Sequence, residues 1–180
     1  MDLSILHPLR LVYPARCVLC GNLLPIIGAP AFPACSSCVQ KLPYIEGIRC
    51  KKCGRSLISE REYCMNCRKA DHVFISNTSV LEYIGTAKEL IYQYKFKGNK
   101  QLAVFFATLV YCIYISAYND HVCVPVPSSL KKRKRRGWDP VHAISKTLKN
   151  VYGLPVVSLL KKEDTVDQKK LSYTQRQNNL

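Results

Sequence analysis

Four Cys-x-x-Cys pairs constrain this chain more than any other feature: Cys17/Cys20, Cys35/Cys38, Cys50/Cys53 and Cys64/Cys67. Two residues between cysteines let both thiolates of a knuckle face one ion. Two knuckles then complete the tetrahedral four-sulfur shell that zinc favours, with sulfur at about 2.3 Å. The 14 residues between Cys20 and Cys35, and the 10 between Cys53 and Cys64, suit a short hairpin. Gly54 suits the tight turn after a knuckle. Two structural zinc ions are therefore the expected cofactors. The spacing allows a sequential pairing with two separate sites, and also an interleaved one; His72 is a further candidate ligand.

The pairs read as closed structural sites. A stretch this poor in large apolar side chains needs staples, and metal binding supplies folding energy. Thioredoxin-type redox chemistry needs a strand-helix context that these pairs lack. The opening residues carry acidic Asp2 and no clean apolar core before a small-residue cleavage site, so no secretory signal is expected and the thiols should stay reduced. Cys112 and Cys123 lie in apolar segments and are expected as buried side chains.

Composition changes after Lys69, which suggests a zinc-binding module over residues 1–72 and a second domain over 73–180. A hydrophobic content of 48% argues for a folded protein, and a net charge of +15 favours acidic partners such as nucleic acid, nucleotides or anionic lipid. Val73 to Tyr83 reads as one or two strands. A Thr86/Glu89 capping box then opens a helix that Gly98 ends, and Leu102 to Tyr118 forms the next helix. That apolar run is shorter than the ~20 residues needed to span hydrocarbon and includes Thr108 and Ser116, so it reads as a buried helix. A strand at Val122 to Val126, a helix through Val141, Ile144 and Leu148, and a strand at Leu154 to Leu160 follow. The alternation predicts an α/β domain with a largely parallel sheet, in which ligands gather at the carboxyl ends of strands.

One such strand end stands out. Pro125 and Pro127 terminate the Val122 strand, because proline has no N–H to give a neighbour. Ser128, Ser129, six consecutive cations from Lys131 to Arg136 and Gly137 follow, with Asp139 and Pro140 placed as a helix N-cap and first helical residue. Hydroxyls, cations and a helix start together favour phosphate. The cations alone would equally suit a solvated run, a nuclear-import signal or a nonspecific nucleic-acid patch.

The paired knuckles, the Val-Pro-Val-Pro strand end, the Arg-Gly-aromatic step at Arg136 to Trp138 and the pattern Thr165-x-x-Gln168-x-x-Leu171-x-x-x-x-Arg176-x-x-Asn179 resemble the ComF competence family. The resemblance implies a zinc-ribbon-like module joined to a type I phosphoribosyltransferase-like domain, in bacterial proteins that handle transforming single-stranded DNA in the cytoplasm beside DNA-uptake proteins such as a helicase. It makes Ser128, Ser129, Lys132, Arg135, Arg136 and Gly137 the pyrophosphate-binding candidates, and Thr165, Gln168, Arg176 and Asn179 part of a flap closing over substrate. Asp139 and Pro140 stand where the family has amides, and Lys161 where it has arginine. The strand ending in two acidic residues and a Thr-Thr-Gly-like loop that holds phosphoribosyl pyrophosphate in the family has no counterpart in these 180 residues: there is no Asp-Asp pair, and Glu163-Asp164-Thr165 lacks both the strand before and the glycine after. The expectation is a C-terminally truncated, incomplete domain, inactive alone, for which phosphoribosyl pyrophosphate becomes a substrate only on completion. The alternative is a zinc-stapled module that binds single-stranded nucleic acid without catalysis, with Tyr83, Tyr92, Tyr94 or Trp138 available for stacking.

Overall fold

A computed structural model describes residues 13–26, 28, 30–58, 62–69, 72–162, 171, 172 and 175. The chain divides into two compact units, Met1–Asn119 and Asp120–Leu180. Six helices are present among the described residues: α1 (Ser36–Gln40), α2 (Met65–Lys69), α3 (Gly85–Lys95), α4 (Leu102–Ala117), α5 (Leu130–Arg136) and α6 (Pro140–Asn150). No strand longer than an isolated bridge occurs among them.

The first unit begins with two short ribbons built alike. Antiparallel bridges pair Arg16 with Leu23 and Arg49 with Ser56, each spanning one knuckle. The Gly21 N–H donates to the Cys17 carbonyl at 2.8 Å, and the Gly54 N–H to the Cys50 carbonyl at 2.9 Å. Both glycines hold φ above +70°, a region that side chains with a Cβ avoid. Helices α1 and α2 each start immediately after the third cysteine of their set. Cys17, Leu24 and Ala34 form a small apolar centre in the first ribbon, with Phe32 packed against it.

Residues 73–83 do not form the expected strands. After bends at 73–75 the segment pairs with the ribbon side of this unit: the Asn77 N–H donates to the Lys52 carbonyl at 2.8 Å, Ile45 N–H to Val80 at 2.9 Å, and Tyr44 bridges Leu81. The β-branched residues that suggested a strand are left largely outside, with Val73 and Ile75 fully or nearly fully exposed. The first unit therefore reaches past residue 72 as far as Asn119.

Helix α3 buries Ala87, Leu90 and Tyr94, spaced so that they share one face. Its N-cap is Ile84, not Thr86, and the expected capping box is absent. Gly85 takes a φ of +44° and opens the helix early, so Thr86 already lies within the first turn. Glu89 instead accepts from the Gln93 side chain one turn on, at 2.7 Å. Gly98 reverses the chain with φ +71°. Helix α4 buries Leu102, Ala103, Phe105 and Ala107 in its first half only. The Phe106 ring meets Tyr94 at 5.0 Å, and Phe105 meets Phe32 of the first ribbon edge-on at 5.1 Å. Each such buried side chain contributes about 1.5–3 kcal/mol. In the second half of α4 Val110 and Ile115 are exposed, and so is Cys112, which corrects its expected burial.

In the second unit the two apolar segments meet at a single parallel rung. The Cys123 N–H donates to Pro155 at 2.9 Å and Val157 N–H to Cys123 at 3.0 Å, with Cys123 bridging Val156. Helices α5 and α6 fill the crossover, the connection that parallel segments require. Asp139 caps α6, with Pro140 in its first turn, as the sequence indicated.

Candidate metal centres and cationic helix

The eight cysteines gather in sequence order, Cys17, Cys20, Cys35 and Cys38 in one set, Cys50, Cys53, Cys64 and Cys67 in the other. Interleaving is thereby excluded. His72 belongs to neither set; its ring stacks on Phe74 at 4.9 Å. Within each set all four sulfurs lie within 4.8 Å of one another. Four sulfurs held about 2.3 Å from a tetrahedral centre stand about 3.8 Å apart. The Cys20 and Cys35 sulfurs are separated by 3.9 Å, and those of Cys53 and Cys64 by 3.7 Å. The donor sets fit zinc.

The surrounding backbone favours thiolates. The Cys35 N–H donates to the Cys17 sulfur at 3.4 Å and the Cys64 N–H to the Cys50 sulfur at 3.3 Å, matching contacts in the two ribbons. The Ser37 hydroxyl, 3.2 Å from the Cys35 sulfur, leads the effects that lower that thiol to about 6. For Cys50, desolvation pushes upward, but backbone N–H groups of Cys53 and Cys64 outweigh it and bring the thiol down to about 6. Their neighbours go the other way. Cys38, hydrogen-bonded to Cys35, is pushed up to about 12, and Cys67 likewise by desolvation and by the thiols of Cys53 and Cys64. Cys17 and Cys64 are lowered as well, so two thiols of each site favour the thiolate, whereas a divalent ion stabilises all four. Zinc bound here is a closed structural centre, its shell filled by sulfur with no position left for a substrate.

Ser128 to Gly137, expected as a loop, is mostly helix. Ser129 is the N-cap of α5, its hydroxyl accepting from the Lys132 N–H at 3.4 Å, and Gly137 closes the other end with φ +73°. Both caps are legible in the sequence once a helix between them is considered. Arg133, Lys134, Arg135 and Arg136 occupy the last turn, where the helix dipole favours cations. The Ser128 hydroxyl donates to Asp139 Oδ1 at 3.0 Å, and Arg133 Nε stands 3.6 Å from Asp139 Oδ2. The same carboxylate accepts from the Val141 N–H at 3.0 Å. Both serines are therefore engaged in local caps. Successive residues turn by about 100°, so the cations from Lys131 to Arg136 spread around α5 and do not converge on one point. The flap candidates Thr165, Gln168, Arg176 and Asn179 lie outside the described residues.

A family model described as a double zinc ribbon domain matches residues 8–68. The chain is similar to the competence protein ComFC of Bacillus subtilis, 29% identical over 138 residues that cover 72% of this chain and 57% of that protein. The chain thus spans little more than half the length of the curated relative it matches. No solved structure gives a significant match. Among the described residues no helix is long and apolar enough to cross a membrane. The paired tetracysteine ribbons and the similarity to a competence protein over most of the chain together support the resemblance to the ComF family.

Proposed function

We propose that the chain is a cytoplasmic competence protein that handles transforming single-stranded DNA beside a helicase-type uptake partner. Residues 1–72 serve as the zinc module and 73–180 as part of a phosphoribosyltransferase-like α/β domain. The observation that carries the reading is the similarity to a competence protein along most of the chain. The parallel rung at Cys123 and Val156, with helices in the crossover, supports a piece of parallel sheet. Ser128, Ser129, Lys132, Arg135, Arg136 and Gly137 are its phosphate-binding region, with Thr165, Gln168, Arg176 and Asn179 as flap. Phosphoryl oxygens would be held by α5 side chains and by the hydroxyls once these leave their caps.

We expect no phosphoribosyl transfer by these 180 residues alone, since they contain no Asp-Asp pair, and Glu163-Asp164 is not followed by a Thr-Thr-Gly-like loop to hold the ribose and its 5-phosphate. Purified protein incubated with phosphoribosyl pyrophosphate should release no pyrophosphate above background. Release that disappears in Ser128→Ala would sink this expectation.

A second reading, a binding module without catalysis, is favoured by the dispersal of cations around α5. A polymer can meet such a helix from several sides, whereas a mononucleotide needs convergent groups. Salt titration on a labelled single strand separates the two, because polymer affinity falls steeply with salt and a mononucleotide should not compete.

A further inference from the structure

Helix α3 carries two large part-exposed rings on the side opposite its buried face. With Ala87, Leu90 and Tyr94 buried, the opposite side should be polar. Lys88 and Lys95 satisfy that expectation. Tyr92 and Phe96 do not: they remain 43% and 53% exposed, one turn apart, with ring centroids 5.5 Å apart and planes tilted by 32°. Lys97 Nζ lies 5.9 Å from the Tyr92 ring centroid, and Lys100 follows two residues after the Gly98 turn. The dipole of α3 accounts for a lysine in its last turn, but not for two part-exposed aromatic rings beside it.

We infer that this face of α3 is a stacking platform for single-stranded nucleic acid, with Tyr92 and Phe96 receiving bases and Lys88 and Lys97 facing the phosphates. Rings interleaved with cations are the arrangement that binds single strands with little regard to sequence, since every base offers a π-face. Charge complementarity points the same way. Glu89 is the one acid within α3, and it is hydrogen-bonded to Gln93. A protein partner is disfavoured, because lysine is depleted from the centres of protein interfaces. Tyr94 takes no part, being 2% exposed.

The assignment rests on the single-strand reading above for its ligand class, and deepens it by naming a surface. Zinc-loaded full chain is titrated into a fluorescein-labelled oligothymidylate and followed by anisotropy. Tyr92→Ala and Phe96→Ala should each weaken binding about ten-fold with an unchanged salt slope, while Tyr92→Phe keeps wild-type affinity. Lys97→Gln should lower the slope of log affinity against log salt by about 0.7. Photocrosslinking wild-type protein to a strand bearing iodouracil should label the peptide containing Tyr92 and Phe96, independently of whether the variants fold. Alanine variants with full zinc content and wild-type affinity, crosslinks confined to other peptides, or equal competition by duplex would each overturn the platform and leave single-strand binding standing. No binding by wild type would remove both.

Discussion

The side-chain amide of Asn77 donates to the carbonyl of Cys53 at 2.9 Å, tying a residue from outside the cysteine sets to the backbone of a second-site zinc ligand. The backbone of the same segment covers Gly54 so closely that a Cβ there would stand 2.8 Å from the Ser79 nitrogen and nearer still to the Asn77 oxygen. The equivalent Gly21 has nothing within 4 Å.

Gly54→Ala and Gly21→Ala should therefore differ. Both force a Cβ into the left-handed region, which costs about 1–2 kcal/mol, but only Gly54→Ala also displaces backbone. The expected result is a clearly larger loss of thermal stability and of zinc retention for Gly54→Ala. Equal losses would mean that the 77–79 segment does not hold the second ribbon.

Each zinc site should be separable. Cys50→Ser should leave one zinc per chain, held by Cys17, Cys20, Cys35 and Cys38, and Cys17→Ser the reverse, against two in the wild type. Native mass spectrometry reads the stoichiometry. A strong chelator should remove both ions and unfold the ribbons, because their folding energy comes from the metal.

Acid should release the ions. Cys35 and Cys50 sit at about 6, below the ordinary thiol value of 9.0. A lowered thiol stabilises the fold fully above that ordinary value, and the contribution disappears as pH falls through the folded value. Protons also compete with zinc for sulfur, which adds to the same sign. Zinc should thus stay bound at neutral pH and appear in solution on acidification, as followed with a zinc-responsive dye; release on raising the pH would contradict the scheme.

Asp139→Ala should destabilise the second unit by about 1 kcal/mol through loss of the α6 N-cap, and Asp139→Asn by much less, since asparagine caps as well. The ion pair with Arg133 adds little, because Arg133 is half exposed. Denaturant unfolding of the two variants checks the order.

The metal sites were legible because spacing is local: two residues between cysteines dictate which sulfurs can share an ion. The N-cap at Asp139 was legible for the same reason. Pairing between knuckles was not, since it depends on where the chain turns between residues 20 and 50. Val73 to Tyr83 misled because β-branched residues mark extended backbone without saying what it pairs with, and here the partner is a ribbon. The segment from Leu130 to Arg136 misled in another way. Its repeated charges suppressed the helix reading, although Ser129 and Gly137 bracket it with good caps and the dipole offsets repulsion in the last turn. Cys112 shows the limit of an apolar neighbourhood as a guide to burial, because the second half of α4 is apolar and still faces outward.

The Phe32 and Phe105 pair carries a practical lesson for dissecting this protein. An expression fragment starting at residue 73 would strip one aromatic partner from the α3–α4 hairpin and present Phe105 to water, inviting aggregation. A fragment ending at Asn119 keeps both rings together, and is the piece to prepare first.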